Sequence, residues 1–411
     1  MTTFKKADIL IPQNVDLTKW SVVACDQYTS EPEYWHEVEN FVGDAPSTLN
    51  ITFPEVYLAE GDARIQNINS TMHKYLRDGI FKKYPQSLIY IERTTDGKKV
   101  RKGIVGAVDL EDYDFKKGSD SKIRATEGTV LERIPPRVKI RENAPLELPH
   151  VMLLIDDKEG LVIEKLAAQK NSMEKLYDFD LMQNGGHLTG YLVPDGIAEQ
   201  TLAELGKLEE SADAAGTFTY AVGDGNHSLA TAKTCWENLK KTLSPEKRKN
   251  HPARFALCEL ENIHDNALFF EPIHRVVFGA NPDALLEGMK KFYKTSQTDN
   301  GGQCIEYITK SGTGKIYVEN PKSRLTVGTL QIFLDEYMKT HSNVTTDYIH
   351  GEDVCRELGK KDGNIGFVLP AMEKSELFPS VAQDGALPRK TFSMGEAYEK
   401  RFYMEAKMIV V

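Results

Sequence analysis

The sequence predicts a mixed α/β (α+β) protein of two or three subdomains built around a strand-turn-helix junction. Three observations carry this. Short β-rich runs alternate with stretches of helical period along the whole chain. At 411 residues the chain exceeds what one hydrophobic core usually serves. Thr217 to Lys241, TFTYAVGDGNHSLATAKTCWENLKK, joins a β-run to the helical stripe Leu229, Ala232, Trp236 and Leu239 through two glycines.

Before that junction, Glu31 to Phe41 reads as a helix with Pro32 in its first turn. Ala63 to Arg77 reads as another, with Ile65, Ile68, Met72, Tyr75 and Leu76 as its buried stripe. Ser87 to Thr94 and Lys99 to Leu110 form a hairpin around Asp96-Gly97. The residues between Leu110 and the strand His150 to Ile155 are polar and without clear period, a functional loop or a connection. A helix is expected over Leu161 to Leu176. Asn184-Gly185-Gly186 then signals a hairpin whose return strand starts at His187, and Gly196 to Glu210 is amphipathic.

After the junction, Ala253 to Leu260 and Leu268 to Phe278 read as strands, Pro282 to Tyr293 as a helix, and Cys304 to Glu319 as a hairpin. Gly314-Lys315 lies in that hairpin without the glycine and hydroxyl spacing of a P-loop. Val327 to Met338 looks helical, and Thr346 to His350, Glu352 to Lys361 and Asn364 to Leu369 make a βαβ unit. The expected division is an N-terminal mixed segment, 1–149, a central segment with the glycine turn, 150–280, and a C-terminal α/β segment, 281–411. No period of 20 to 50 residues recurs.

Composition narrows the function classes. The chain is 40% hydrophobic and 27% charged with net charge -10, which argues against a nucleic-acid partner. The basic run Lys240 to Lys249 reads as a solvated helix end. Five scattered cysteines suggest neither a disulfide framework nor a Cys-x-x-Cys metal site. The opening residues lack the apolar core of a signal peptide, and no run approaches the roughly 18 apolar residues of a membrane span. A soluble, cytoplasmic protein without a membrane partner is expected; the sequence is silent on its oligomeric state.

Gly223-Asp224-Gly225-Asn226-His227-Ser228 carries the chemistry. A strand turning straight into a helix presents unpaired N–H groups and the positive end of the macrodipole, most often to phosphate. The glycines let backbone approach a ligand or adopt positive φ, Asn226 or Ser228 caps the helix, and Asp224 and His227 add an acid and a titratable base. An ordinary βα turn would look the same. His187 taken alone reads as a satisfied surface or edge histidine rather than a catalyst, His274-Arg275 either reaches a site or sits on the solvent face of an edge strand, and Arg389-Lys390-Thr391 is a phosphate clamp or tail decoration.

At this turn the sequence resembles a widespread bacterial family, mostly of unknown function, whose members carry Asp-Gly-His-His-Arg between a strand and a helix. The resemblance runs across most of the chain. Asp26 falls where the family has an N-terminal aspartate. Glu127 and Thr129 match a His-Glu-x-Thr element, with Thr126 in place of the His. Glu132-Arg133, His187-Leu188, His274-Arg275, Phe367 to Pro370 and Pro388 to Thr391 match further motifs. The turn is also similar to that of the ParB and sulfiredoxin-like group, which includes nucleotide-binding enzymes and free-serine kinases using ADP or ATP. Asn226 and Ser228 stand where a His and an Arg are expected.

The resemblance implies a nucleotide-dependent phosphotransferase acting on a small hydroxyl metabolite, free-serine-kinase-like, with ADP or ATP as co-substrate and Asp224 binding Mg²⁺ or orienting the turn. Gly223, Gly225, Asn226 and Ser228 would cradle phosphate, His227 contact it or shuttle a proton, Glu127 act as base, and Arg275, Arg389 and Lys390 clamp charge. Asp26, Thr129, Arg133, His187, His274 and Thr391 are further candidates. A non-catalytic nucleotide or phosphometabolite sensor and a metal-dependent hydrolase are the alternatives.

Overall fold

The computed structural model describes residues 2–95, 99–148 and 151–411. The chain divides into two compact units, Met1–Leu268 together with Gly395–Val411, and Phe269–Met394. Both mix helices and sheets, as the sequence predicts.

The first unit is built on a ten-stranded mixed sheet. Its order is Glu174–Asp180, His187–Leu192, Ile89–Thr95, Lys99–Asp109, Phe255–Asn262, Met152–Ile155, Tyr220–Asp224, Ile123–Ala125 and Tyr113–Asp114, with Phe4–Lys5 added on Lys99–Asp109. Two core clusters flank it. One gathers Trp20, Trp35, Ile68, Met72, Tyr75 and Phe402, burying the apolar stripes of Pro32–Val42 and Gly61–Arg77. The other gathers Leu153, Leu205, Val222, Leu229 and Trp236, burying Asp195–Ala214 and Asn226–Lys240. The stripe foreseen for Gly61–Arg77 is present, with Ile65 and Leu76 at its half-buried margin.

The hairpin Ile89–Thr95 with Lys99–Asp109 pairs antiparallel as expected; its turn Asp96-Gly97 lies outside the described residues. The hairpin before His187 is also present, with Gly186 at φ 88. Two expectations change. The helix over Leu161 to Leu176 shrinks to Ile163–Ala167, because Leu176 and Tyr177 belong to an edge strand paired with His187 to Leu192. The polar stretch after Leu110 is not one loop: it supplies Ile123–Ala125 to the sheet and folds Ile134–Arg141 into a helix started by Pro135 and Pro136.

In the second unit the six-stranded path runs Thr295–Ser296, Gly312–Val318, Gln303–Thr309, Asn364–Val368, Phe270–Phe278 and Thr345–His350, and Phe392–Met394 also pairs with Phe270–Phe278. Thr345–His350 and Asn364–Val368 both lie antiparallel to Phe270–Phe278, on either side of it. The anticipated βαβ unit is therefore a split one, its two parallel strands separated by a third.

Among the described residues no helix is long and apolar enough to cross a membrane.

Candidate functional site

Tyr220–Asp224 and Ile123–Ala125 run parallel, with Val222 opposite Ala125. The residues that follow each strand therefore emerge at the same sheet edge, the carboxyl ends of strands where α/β proteins bind ligands. From one strand comes the turn Asp224 to Ser228, from the other Thr126 to Val130. Thr126 Oγ1 donates to Val222 O at 2.6 Å, and Asn226 Nδ2 lies 3.4 Å from Thr126 Oγ1. Glu127 and Thr129 are thus carried to the turn by strand pairing.

Gly225 sits at φ 83 as the N-cap of Asn226–Lys240. A Cβ there would meet Val151 Cα at 3.0 Å, so the residue needs both a left-handed backbone and no side chain. Gly223 lies within the strand itself. Asn226 and Ser228 do not cap the helix: it starts at Asn226, and no side chain caps it. Asn226 and Ser228 fall inside the first turn, where their side chains point away from the N–H groups a cap must reach. Instead Asp224 Oδ1 accepts the Gly225 N–H at 2.8 Å, and Asp224 Oδ2 lies 3.3 Å from Lys400 Nζ. Asn226 Oδ1 and Thr129 Oγ1 are buried without a hydrogen-bond partner.

His227 Nε2 accepts the Val130 N–H at 3.3 Å. In the neutral ring this places the proton on Nδ1. A cavity of about 330 Å³ opens beside it, lined by residues from distant parts of the chain: Asp26, Arg133, His227 and Ser228 among the predicted ones. Its rim is polar and its floor, including Met72, Leu146, Val151 and Leu257, is buried and apolar. The helix Ile134–Arg141 packs against Asn226–Lys240 and turns Arg137 and Arg141 to the cavity. Arg137 pairs with Glu55, and Arg141 with Glu147 at 2.5 Å. Burial pushes the Glu147 carboxyl up, but Lys407 and Arg141 more than offset this and hold it below its usual range. Cys25 lines the cavity too; burial, with Asp26 beside it, raises its thiol to about 11.

Sequence reasoning missed Lys400, Arg137, Arg141 and the charges beneath them. Arg93, 2% exposed, donates to Gly185 O, Tyr398 O and Lys400 O at 2.7 to 3.1 Å. Arg101 Nε lies 2.9 Å from Glu261 Oε1, and Arg401 Nη1 3.1 Å from Glu259 Oε2, close ion contacts without good hydrogen-bond angles. Burial drives the Glu261 carboxyl well up, whereas Glu259 is held down by Arg401 and Arg101 against its own burial. The only signal was charge inside apolar runs: Arg93 in LIYIERTT, Glu259 and Glu261 in ALCELEN.

Other predicted residues are not among those that line this cavity of the first unit. His187 bridges Asp180 and Asp178 at 2.7 and 2.6 Å on an exposed hairpin, and these bonds, Asp180 first, raise its pKa. His274, Arg275, Arg389, Lys390 and Thr391 belong to the second unit. Burial lowers the His274 pKa, and its Nδ1 accepts the Leu369 N–H at 3.1 Å. Arg275 is fully buried, bonded to Gln331 Oε1 and to the carbonyls of Ile273 and Arg389, over the Tyr348 ring that Arg389 also faces. Thr391 Oγ1 donates to Pro388 O at 2.6 Å, and Lys390 adopts φ 56.

Magnesium on Asp224 does not fit this arrangement, since one carboxylate oxygen holds the turn and the other faces a lysine. No group of three or more His, Cys, Asp or Glu among the described residues is placed to hold a metal ion.

Residues 9–350 match the family described as Protein of unknown function (DUF1015). The chain belongs to that family. No curated protein matches it. Among solved structures, this DUF1015 chain is similar to a free serine kinase variant in complex with ADP, at TM-score 0.42 and 11% identity over 77% of this chain and 95% of that one. It is similar to a conserved hypothetical protein from Pyrococcus furiosus, at TM-score 0.37 and 11% identity over 75% and 96%. A third likeness is to SbnI with C-terminal truncation from Staphylococcus aureus, at TM-score 0.36 and 9% identity over 71% and 82%.

Proposed function

We propose that this DUF1015 protein is a nucleotide-dependent phosphotransferase acting on a small hydroxyl-bearing metabolite. One observation carries the reading: an uncapped helix start on a glycine turn stands beside a cavity that gathers Asp26, Arg133 and His227. Phosphoryl transfer is mostly positioning and charge stabilisation. The helix N–H groups at Asn226 to Ser228 supply donors for phosphate, with the His227 imidazole on the wall of the cavity beside them. Arg133 adds a cation on the cavity wall, whereas Arg137 and Arg141 are already neutralised by Glu55 and Glu147. Asp26 lines the same cavity as His227 and so is better placed than Glu127 to take the acceptor's proton. Magnesium in this reading arrives on the nucleotide's phosphates rather than in a protein cage.

A non-catalytic sensor is the second reading, favoured by Ser228, whose hydroxyl gives one hydrogen bond where an arginine would clamp phosphate with two. The metal-dependent hydrolase needs a donor set that the described residues do not assemble.

Calorimetric titration with ADP, ATP and phosphate, with and without Mg²⁺, is the test, followed by a turnover screen over hydroxyl acceptors. The phosphotransferase reading requires saturable nucleotide binding and a phosphorylated product. Binding without product across the panel selects the sensor, and no binding of any of the three sinks both.

A further inference from the structure

The geometry points to Lys400 as the cation of the anion site and to Asp224 as its resident counter-ion, a carboxylate that an incoming phosphate displaces. This rests on the reading of the turn as a phosphate site.

Asp224 already shows where an oxyanion binds. One of its oxygens takes the Gly225 N–H at 2.8 Å, and the other stands 3.3 Å from Lys400 Nζ. A turn amide and an ammonium are the donors a phosphate oxygen would use. The helix that starts here has no side-chain cap. Thr129 Oγ1, carried to this turn by its strand, is a buried hydroxyl with no partner. The side chain at 228, where an arginine is expected, is a serine; Lys400 brings a positive charge to the turn from the far end of the chain.

The placement of Lys400 is itself built. It is 9% exposed, and its own carbonyl accepts from Arg93 Nη1 at 2.7 Å. Arg93 also holds Tyr398 O, and Arg101 holds Glu399 O at 3.3 Å. On the other side Arg401 is locked between Glu259 and Glu405. Burying this many charges is expensive in desolvation, and hydrophobic residues would hold a plain segment as well. What the guanidiniums add is a fixed backbone at 398–401, so Arg93, Arg101 and Arg401 are positioning residues for the Lys400 ammonium.

Displacement gives two substitutions opposite signs. Removing the lysine takes away a ligand contact, whereas neutralising Asp224 removes a competitor and a like charge. A simple bracing ion pair would show neither effect on binding. The experiment is calorimetric titration of the full chain with ADP and, separately, inorganic phosphate, on the parent, Lys400→Met, Lys400→Arg and Asp224→Asn, each checked by circular dichroism. Loss of one charged contact predicts ~10-fold weaker binding of both probes to Lys400→Met. Lys400→Arg should stay near the parent and Asp224→Asn should bind more tightly. Unchanged affinity in Lys400→Met, or weaker binding in Asp224→Asn, overturns the proposal. If Lys400→Met does not fold, Asp224→Asn decides alone: tighter binding supports displacement, and equal or weaker binding refutes it. ADP and phosphate binding to the parent but indifferent to Lys400 would remove this assignment and leave the phosphate site standing; a parent that binds neither probe removes both.

Discussion

Gly225→Ala tests the turn at the atom on which its shape depends. At φ 83 an L-residue is forced into the left-handed region, which costs about 1–2 kcal/mol. The new methyl would also meet Val151 Cα at 3.0 Å and Cγ2 at 3.1 Å, and overpacking of this kind adds about 1–3 kcal/mol. The sum is about 2–5 kcal/mol, a large share of the stability of a typical domain. Urea unfolding followed by tryptophan fluorescence reads it cleanly, because Trp20, Trp35 and Trp236 are all buried and all lie in the first unit. Gly225→Asn separates the two causes, since asparagine tolerates positive φ but has the same Cβ. Asparagine should recover the backbone part of the loss and not the contact part. A Gly225→Ala midpoint equal to the parent's, at unchanged slope, would refute the strained-turn account.

Arg93→Met should destabilise the first unit by about 3–5 kcal/mol, because it strands the buried carbonyls of Gly185 and Lys400 and the part-buried one of Tyr398; urea unfolding on the same fluorescence signal checks this. His187, with its folded pKa raised by Asp180 and Asp178, contributes stability that is full below the unfolded value of about 6.5 and is lost as pH rises through the folded one. Proton NMR should put its midpoint above that of a free histidine, and Asp180→Asn should lower it. His274 is the mirror case: burial depresses its pKa, so its contribution is full above about 6.5 and is lost as pH falls through the folded value. Its ring should titrate below that of a free histidine in the same spectrum. Cys25, with its thiol raised to about 11, should resist thiol-disulfide reagents at pH 8 in the native state and react once the chain is unfolded.

Much of the fold was legible because its elements carry their own period. Pro32–Val42, Gly61–Arg77, Asp195–Ala214 and Asn226–Lys240 all fall close to where apolar spacing places them. The edge strand Glu174–Asp180 was not, since Leu176 and Tyr177 extend a helical-looking pattern and only pairing with the strand from His187 makes them β. Ile123–Ala125 is three residues long, too short to announce itself, yet it carries Glu127 and Thr129 to the turn. The turn itself was visible in two glycines, an acid and a histidine. Its cap was misread because Asn226 and Ser228 are good capping types, while strand geometry fixed the N-cap at Gly225 and the first helical residue at Asn226. Lys400 was illegible: nothing local marks a lysine whose partner lies 176 positions earlier.

The return of residues 395–411 to the first unit has a consequence for biosynthesis. A ribosome that has finished the strands of the first unit must still translate all of Phe269–Met394 before Lys400, Arg401 and Glu405 emerge, a delay on the order of ten seconds. During that interval Glu259 lacks Arg401, Arg93 lacks the carbonyls of Tyr398 and Lys400, and Asp224 has no ammonium. The nascent chain therefore carries a complete set of sheet strands with unmatched interior charge, a state for chaperones to guard, and the turn at Asp224 reaches its final electrostatic form only once residues 395–411 have emerged.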